Sequence, residues 1–514
     1  MHNFGSMVKR LFFILPVLLL FIGSAKGQST IFVEYADSLK GTPLQRVLIG
    51  HVVLHQDDVV MYCNRALFET NTNIIRASGK VKIIQADTVV ITGDSGVYNG
   101  NLKKAYMLGK VQLDDNTILL RTQQLDYDMN TQFATYHRNA TITNEESVLR
   151  SVEGIYNTTT KDFLFKKEVE VTDQNEGELK ADSLRYNTDT KIARFICPTT
   201  MTTRTDTVMT RSGTYNTQTK ASYFSSRTTA KLPDFELTGD TLQYDSDKKI
   251  GKANGNVVFY SKKDDVFLYG DHGNYDGDLG ESIVYKNAWM KSILDADTLL
   301  LKADTLVSIE NKLDSSRTLF AYHHVLIFKS DFSGKCDSLR YQDSLINFYT
   351  KPILWTQDSQ ILADTIHLTM VEKQLNKMDL RGHAFVISKD SLLQANQVKG
   401  RKMWVYFGED NALSKVDVDG NGESIYYVVD DQEKTTGLNR VEAGKMKIFF
   451  KDNNVSNITF ITRPEGKFIP PEEWTEDIQE LDGFNWRDRE KPTKDMIEPQ
   501  TEKINTETIE IVEK

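Results

Sequence analysis

From residue 30 to about 462, apolar and polar residues alternate with a period of two, and the 3.6-residue period of an amphipathic helix is absent. Segment 179–186 (Leu-Lys-Ala-Asp-Ser-Leu-Arg-Tyr) is typical. A polar turn follows at 187–191 (Asn-Thr-Asp-Thr-Lys), and segments such as 253–260 (Ala-Asn-Gly-Asn-Val-Val-Phe-Tyr) carry the chain back. Alternating runs bounded by Asn, Asp, Gly and Thr predict strand, turn and strand.

The pattern repeats. Tyr98, Tyr127, Tyr156, Tyr186, Tyr215, Tyr244 and Tyr275 recur every 29–31 residues, each followed by Asn or Asp. Phe68 extends the column upstream, and Ser308, Tyr341 and Leu368 extend it more loosely downstream. Two residues before the eight members from Tyr98 to Ser308 stand Gly96, Leu125, Gly154, Leu184, Gly213, Leu242, Gly273 and Leu306, in strict alternation. Positions two apart share a face of a strand, so Leu184 and Tyr186 point into one interior. The glycines are expected to leave room for the leucine of the neighbouring rung, or to permit a bend.

A strand–turn–strand unit of about 30 residues cannot bury its own apolar face, but stacked copies can. The expected fold is all-β: a stacked β-jellyroll or β-solenoid-like repeat forming two facing sheets over 28–462, with the tyrosines in one ladder. The pattern stops near 463. Residues 463–514, rich in Pro, Glu, Lys and Thr, are expected to form a charged mobile tail with a short helix near 472–481.

The first residues stand outside the repeat. Lys9 and Arg10 precede an apolar run from Leu11 to Ile22 broken by Pro16, and Ala25-Lys26-Gly27 places small residues before Gln28. This predicts a secretory signal peptide over 1–27 and an exported protein. An uncleaved anchor is the alternative, but the run is shorter than the ~20 residues a spanning helix needs. Losing Lys9, Arg10 and Lys26 takes the formal charge from −10 to −13, which disfavours nucleic acid as a partner. Cys63, Cys197 and Cys336 are too few and too far apart for a disulfide framework.

Catalytic and metal-binding patterns are weak. Segment 93–96 (Gly-Asp-Ser-Gly) resembles a serine-protease nucleophile segment, but Ser95 occupies a repeat slot shared with Glu153, Ser212 and His272. The recurrent Asp94, Asp182, Asp240, Asp271, Asp304, Asp337 and Asp364 fit turn chemistry before a strand. His323 and His324 are adjacent in a strand-like segment and face opposite sides, so they do not chelate together. Neither an enzyme, a cofactor nor a metal is expected.

Three features together resemble the OstA-like (organic solvent tolerance, lipopolysaccharide-transport protein A) family. They are the Ala-Asp-Ser/Thr-Leu segments at 181–184, 296–299 and 303–306, the Tyr-Asn/Asp turns, and the Gly-x-Val segments at 79–81, 109–111 and 255–257. The resemblance covers roughly 30–400. It implies a β-jellyroll with an open apolar groove that holds the acyl chains of lipid A. It also implies head-to-tail β-edge contacts with inner- and outer-membrane transport components, and leaves self-association open. The chain is longer than a minimal bridge protein and lacks a C-terminal run of amphipathic ten-residue barrel strands.

The expectation is therefore a non-catalytic periplasmic protein that binds lipopolysaccharide and bridges its transport to the outer membrane, with a place at the outer membrane left open. Its candidate groove residues are Leu125, Tyr127, Tyr156, Leu184, Tyr186, Tyr215, Leu242, Tyr244, Tyr275 and Leu306. The alternative is a structural or adhesive β-solenoid with a solid core. A β-helical glycan-degrading enzyme is disfavoured by the absence of an acid cluster.

Overall fold

A computed structural model describes residues 29–499 except 144–146, 174–176, 234, 295–296, 315, 357, 373, 409–411, 431, 433 and 452–453. The leader expected over 1–27 lies outside the described residues. The fold is almost entirely antiparallel β. The chain divides into two compact units, one through Thr135 and one from Tyr136, where the repeat alone suggests a single domain.

In the first unit, strands Gln45–Gln56, Val59–Glu69, Ile74–Gln85, Val89–Asn99, Lys104–Asp114 and Leu119–Asp128 each pair with the next. Every strand bends at its middle. Gln45–Ile49 pairs with Arg65–Glu69 to begin one arm, the A arm, and Val52–Gln56 pairs with Val59–Cys63 to begin the other, the B arm. The two facing sheets are thus two arms of the same bent strands, and the 30-residue period is two strands.

The bend has a chemical cause. Gly79 and Lys80 have φ of 77° and 49°, and Gly109 and Lys110 have 74° and 45°. Two left-handed residues on one strand then face a single residue, Asn64 or Asp94, on its neighbour, a bulge that turns the strand. Glycine is needed at 109 twice over: a side chain strains that φ, and a Cβ there would lie 2.6 Å from the Asp94 carboxylate. The Gly-x-Val segments are these corners.

The second unit repeats the device at Gly255-Asn256, Lys286-Asn287, His323-His324 and Gly382-His383. The second residue of each pair bonds an aspartate across the corner: Asn256 to Asp240 at 2.7 Å, Asn287 to Asp271 at 2.8 Å, His324 to Asp304 and His383 to Asp364 at 2.9 Å. The recurrent aspartates therefore stand at mid-strand corners, not in the turns where sequence placed them. His323 turns the other way, to Asp337 at 3.2 Å. The turns themselves are built by the residue after each tyrosine. Asn187 Oδ1, for example, accepts from the Asp189 and Thr190 amides at 3.1 and 2.8 Å.

The tyrosine column is real in each unit. Phe68 pairs with Ile75, Ile75 with Tyr98, Tyr98 with Ala105 and Ala105 with Tyr127. From Tyr156 the second unit runs through Phe163, Tyr186, Ala193, Tyr215, Ser222, Tyr244, Gly251 and Tyr275. Successive tyrosines are two strands apart, about 10 Å at ordinary spacing.

The glycine expectation needs correction. Phe165 lies between Gly154 and Leu184, so these two are not neighbours. A Cβ on Gly154 would meet the Tyr136 ring and hydroxyl within 2.3–2.7 Å, and one on Gly96 would meet Met107 Sδ at 2.6 Å. Gly96, Gly154 and Gly273 make room for side chains of other strands, whereas a Cβ on Gly213 would meet the Tyr223 backbone carbonyl at 2.4 Å.

The tail is also corrected over its described part, residues 463–499; residues 500–514 lie outside the described residues. Glu465–Ile469 is a strand on Thr435–Lys451. Residues 470–498 then form an ordered strap with short helical turns at Pro471–Glu473, Glu476–Gln479, Asp488–Glu490 and Lys494–Ile497, burying Leu481 and Ile497.

Candidate functional site

In the first unit the arms close on each other. Tyr98, from the A arm, donates to Gln56 Oε1 at the tip of the B arm at 2.6 Å, and the Gln56 amide donates to the Gly100 carbonyl at 3.0 Å. Tyr127 and Gln85 repeat the arrangement at 2.9 Å, with the Met129 carbonyl at 3.2 Å. All four side chains are buried. Leu125 and Tyr127, two of the expected groove residues, belong to this packed core.

The second unit opens. A cavity of about 770 Å³ separates its arms between residues 235 and 370. Its B-arm wall carries Phe235, Phe259, Leu268 and Met290, and its A-arm wall carries Tyr275, Leu319 and Tyr341. The cause can be read from the register. Tyr275 pairs with Ser282, Ser282 with Ser308, Ser308 with Leu319, and Leu319 with Tyr341. Ser308 stands where the period places an aromatic ring, and both serines line the cavity. On the opposing arm Ser261 and Ser292 also line it.

At one end the rings of Phe235 and Tyr275 meet across the arms, 5.0 Å between centroids. At the mouth Arg317 reaches from the A arm to Glu310 at 3.1 Å and to Asp264 of the opposing arm at 3.6 Å. Lys263, Lys312, Asp314 and Asp343 complete a rim of mixed charge. Burial pushes the hydroxyls of Tyr275 and Tyr341 above their ordinary pKa, helped by nearby carboxylates, so both stay neutral. The arrangement is a cleft with an apolar floor, a hydroxyl-bearing middle and a charged lip, and its size lies within the ~300–1,000 Å³ of ligand sites.

Of the expected groove residues, only Tyr275 lines this cleft. Tyr156, Leu184, Leu242 and Leu306 are buried in the second unit's core, and Tyr186, Tyr215 and Tyr244 are half-buried along the column. Sequence reasoning missed Phe235, Phe259, Leu268, Met290 and Leu319. The available signal was Ser308, an interruption in a column otherwise aromatic from Phe68 to Tyr341. Among the described residues, no group of three or more His, Cys, Asp or Glu is placed to hold a metal. Nor is any helix among them long and apolar enough to cross a membrane.

A family model described as OstA-like protein matches residues 28–179 and 171–240. No curated protein matches the chain.

Proposed function

Because the chain belongs to the OstA-like family through residues 28–240, we propose that it is a non-catalytic lipid carrier of the cell envelope whose second unit holds acyl chains in the cleft between its arms. OstA-like proteins are associated with lipopolysaccharide and lipid transport. On this reading the ligand is lipopolysaccharide, its acyl chains lying on Phe259, Leu268, Met290 and Leu319 and its head group meeting the Arg317 rim. The protein works in the periplasm after export and hands lipid between inner- and outer-membrane components through β-edge contacts. The cleft lies largely beyond the family match, so it is the lipid site proposed for this chain in particular.

One observation carries the reading: the 770 Å³ cleft is apolar at its floor and charged at its lip. Burying about ten methylenes at roughly 0.8 kcal/mol each supplies about 8 kcal/mol before the costs of association. The rim sets three basic side chains, Lys263, Lys312 and Arg317, against four acidic ones, Asp264, Glu310, Asp314 and Asp343. An anionic head group is therefore held there by competing for those cations or through bridging divalent ions, and the acyl chains supply most of the binding. The bolted interior of the first unit favours the second reading, a structural stack, for that unit alone.

Mass spectrometry of lipids that co-purify with the full chain from a native envelope tests the proposal. An acylated glycolipid near one per chain is expected. Material carrying no acylated lipid, from an envelope rich in it, would overturn the proposal.

A further inference from the structure

The strap of residues 470–498 lies on the outer face of the B arm. Met290 points into the cleft while its neighbour Lys291 holds the strap, as alternation along a strand requires. The strap crosses the strands in reverse chain order. Arg440 donates to the Asp477 carbonyl at 2.9 Å, Lys399 to that of Asp482 at 2.9 Å, Lys302 to that of Met496 at 3.1 Å, and Lys291 pairs with Glu498 at 2.9 Å. Lys335 pairs with Glu490 between them.

Two buried glutamines do more than pin it. Gln397, 1% exposed, accepts from the Leu481 amide at 2.8 Å and donates to the Gln479 carbonyl at 2.7 Å. Gln360, 0% exposed, accepts from the Arg487 amide and donates to the Asn485 carbonyl, both at 2.7 Å. Each side chain reads the carbonyl of one residue and the amide two residues on. That is how one amide recognises extended main chain, whatever its side chains. Selectivity comes from a pocket of Phe385, Ile387, Ile425, Tyr427 and Leu438 that takes Leu481, and from charge. Between 472 and 498 the strap has ten acidic and four basic side chains, laid over a row of lysines.

Main-chain clamps, one apolar pocket and a cationic row make a groove for an extended acidic peptide. The strap occupies it through side-chain contacts, without a strand ladder, and joins the fold through Pro470-Pro471 after one short strand. Nothing in these contacts depends on which copy supplies the strap. We infer that the groove is a docking surface between copies of this chain, taking residues 476–498 of a second copy in exchange for its own. Exchange of an identical segment is a low-cost route to association, with the tether favouring the same-chain arrangement at low concentration.

Two full-length variants test this. Gln360→Leu with Gln397→Leu disables the groove and leaves the strap; Leu481→Asp with Glu490→Lys disables the strap and leaves the groove. Each is verified as folded by its β-strand circular dichroism. Mixed in equal amounts they should form a heterodimer, and hydrogen exchange at the Leu481 and Arg487 amides of the groove variant should slow at least tenfold. Folded variants that neither associate nor regain protection at those amides overturn the inference. If the double glutamine variant loses its strands, Lys335→Glu replaces it against Glu490→Lys, with the same two outcomes.

Discussion

Tyr98 donates its hydroxyl to Gln56 Oε1 across the interior of the first unit at 2.6 Å, and 29 residues later Tyr127 makes the same bond to Gln85 at 2.9 Å. In the first unit the repeat places this bolt twice. Because Gln85 also holds the Met129 carbonyl, Gln85→Leu leaves a buried hydroxyl and a carbonyl short of a partner. A loss of about 1–3 kcal/mol is expected. Tyr127→Phe added to Gln85→Leu should cost less than the two separate losses summed, by about 0.5–3 kcal/mol. Urea unfolding of the four proteins measures the cycle, and strict additivity would show that the bolt is not a coupled unit.

Gly154 is tight because of Tyr136. Gly154→Ala places a Cβ on the Tyr136 ring and is expected to cost about 1–3 kcal/mol as overpacking. Tyr136→Val should relieve much of that penalty in the double variant, whereas Leu184→Ala should not. Equal rescue by both would restore the neighbouring-rung explanation.

The thiols should be inert. Burial pushes Cys63 up to about 11 and Cys336 up to about 12, so at pH 8 roughly one in 10³ or fewer is thiolate. Iodoacetamide should leave both unmodified in the folded protein over a period that fully alkylates the urea-unfolded chain. Rapid native labelling at either position would contradict the burial.

Strap docking should depend on pH through Glu498. Burial pushes its carboxyl up, but the hydrogen bond and charge of Lys291, with Lys494, outweigh this and hold it below the usual carboxylate value. A depressed folded-state pKa stabilises above the unfolded value and loses its contribution as pH falls through the folded one. Hydrogen exchange over 494–498, corrected for intrinsic rate, should therefore accelerate below about pH 4. Glu498→Gln should flatten that dependence; an unchanged profile would remove Glu498 from the docking.

Much of the fold was legible because two periods coincide, two residues along a strand and 30 along the chain. Within each unit the column falls in register as the sequence suggests, from Phe68 to Tyr127 in the first and from Tyr156 to Leu368 in the second. The Gly-x-Val signal was visible, but its meaning as a left-handed corner was not, since sequence alone does not distinguish a bulge from a strand start. The Gly154–Leu184 relation was misread because spacing along the column hides Phe165 on the intervening strand. The strap was invisible for a different reason. Its docking rests on two apolar anchors and on glutamines that read main chain, and neither leaves a periodic trace. The cleft left only Ser308, a small residue whose effect depends on what faces it.

Ser308→Tyr is the most direct test of the lipid cleft. It restores the aromatic that the column carries elsewhere, so the fold should tolerate it, while the added ring fills the cleft between Tyr275 and Tyr341. The measurement is binding of a lipophilic fluorescent probe and of co-purified acyl lipid, with urea unfolding on the same sample. The account predicts a folded variant with at least tenfold less probe and lipid bound. A variant equally folded and equally loaded would contradict it.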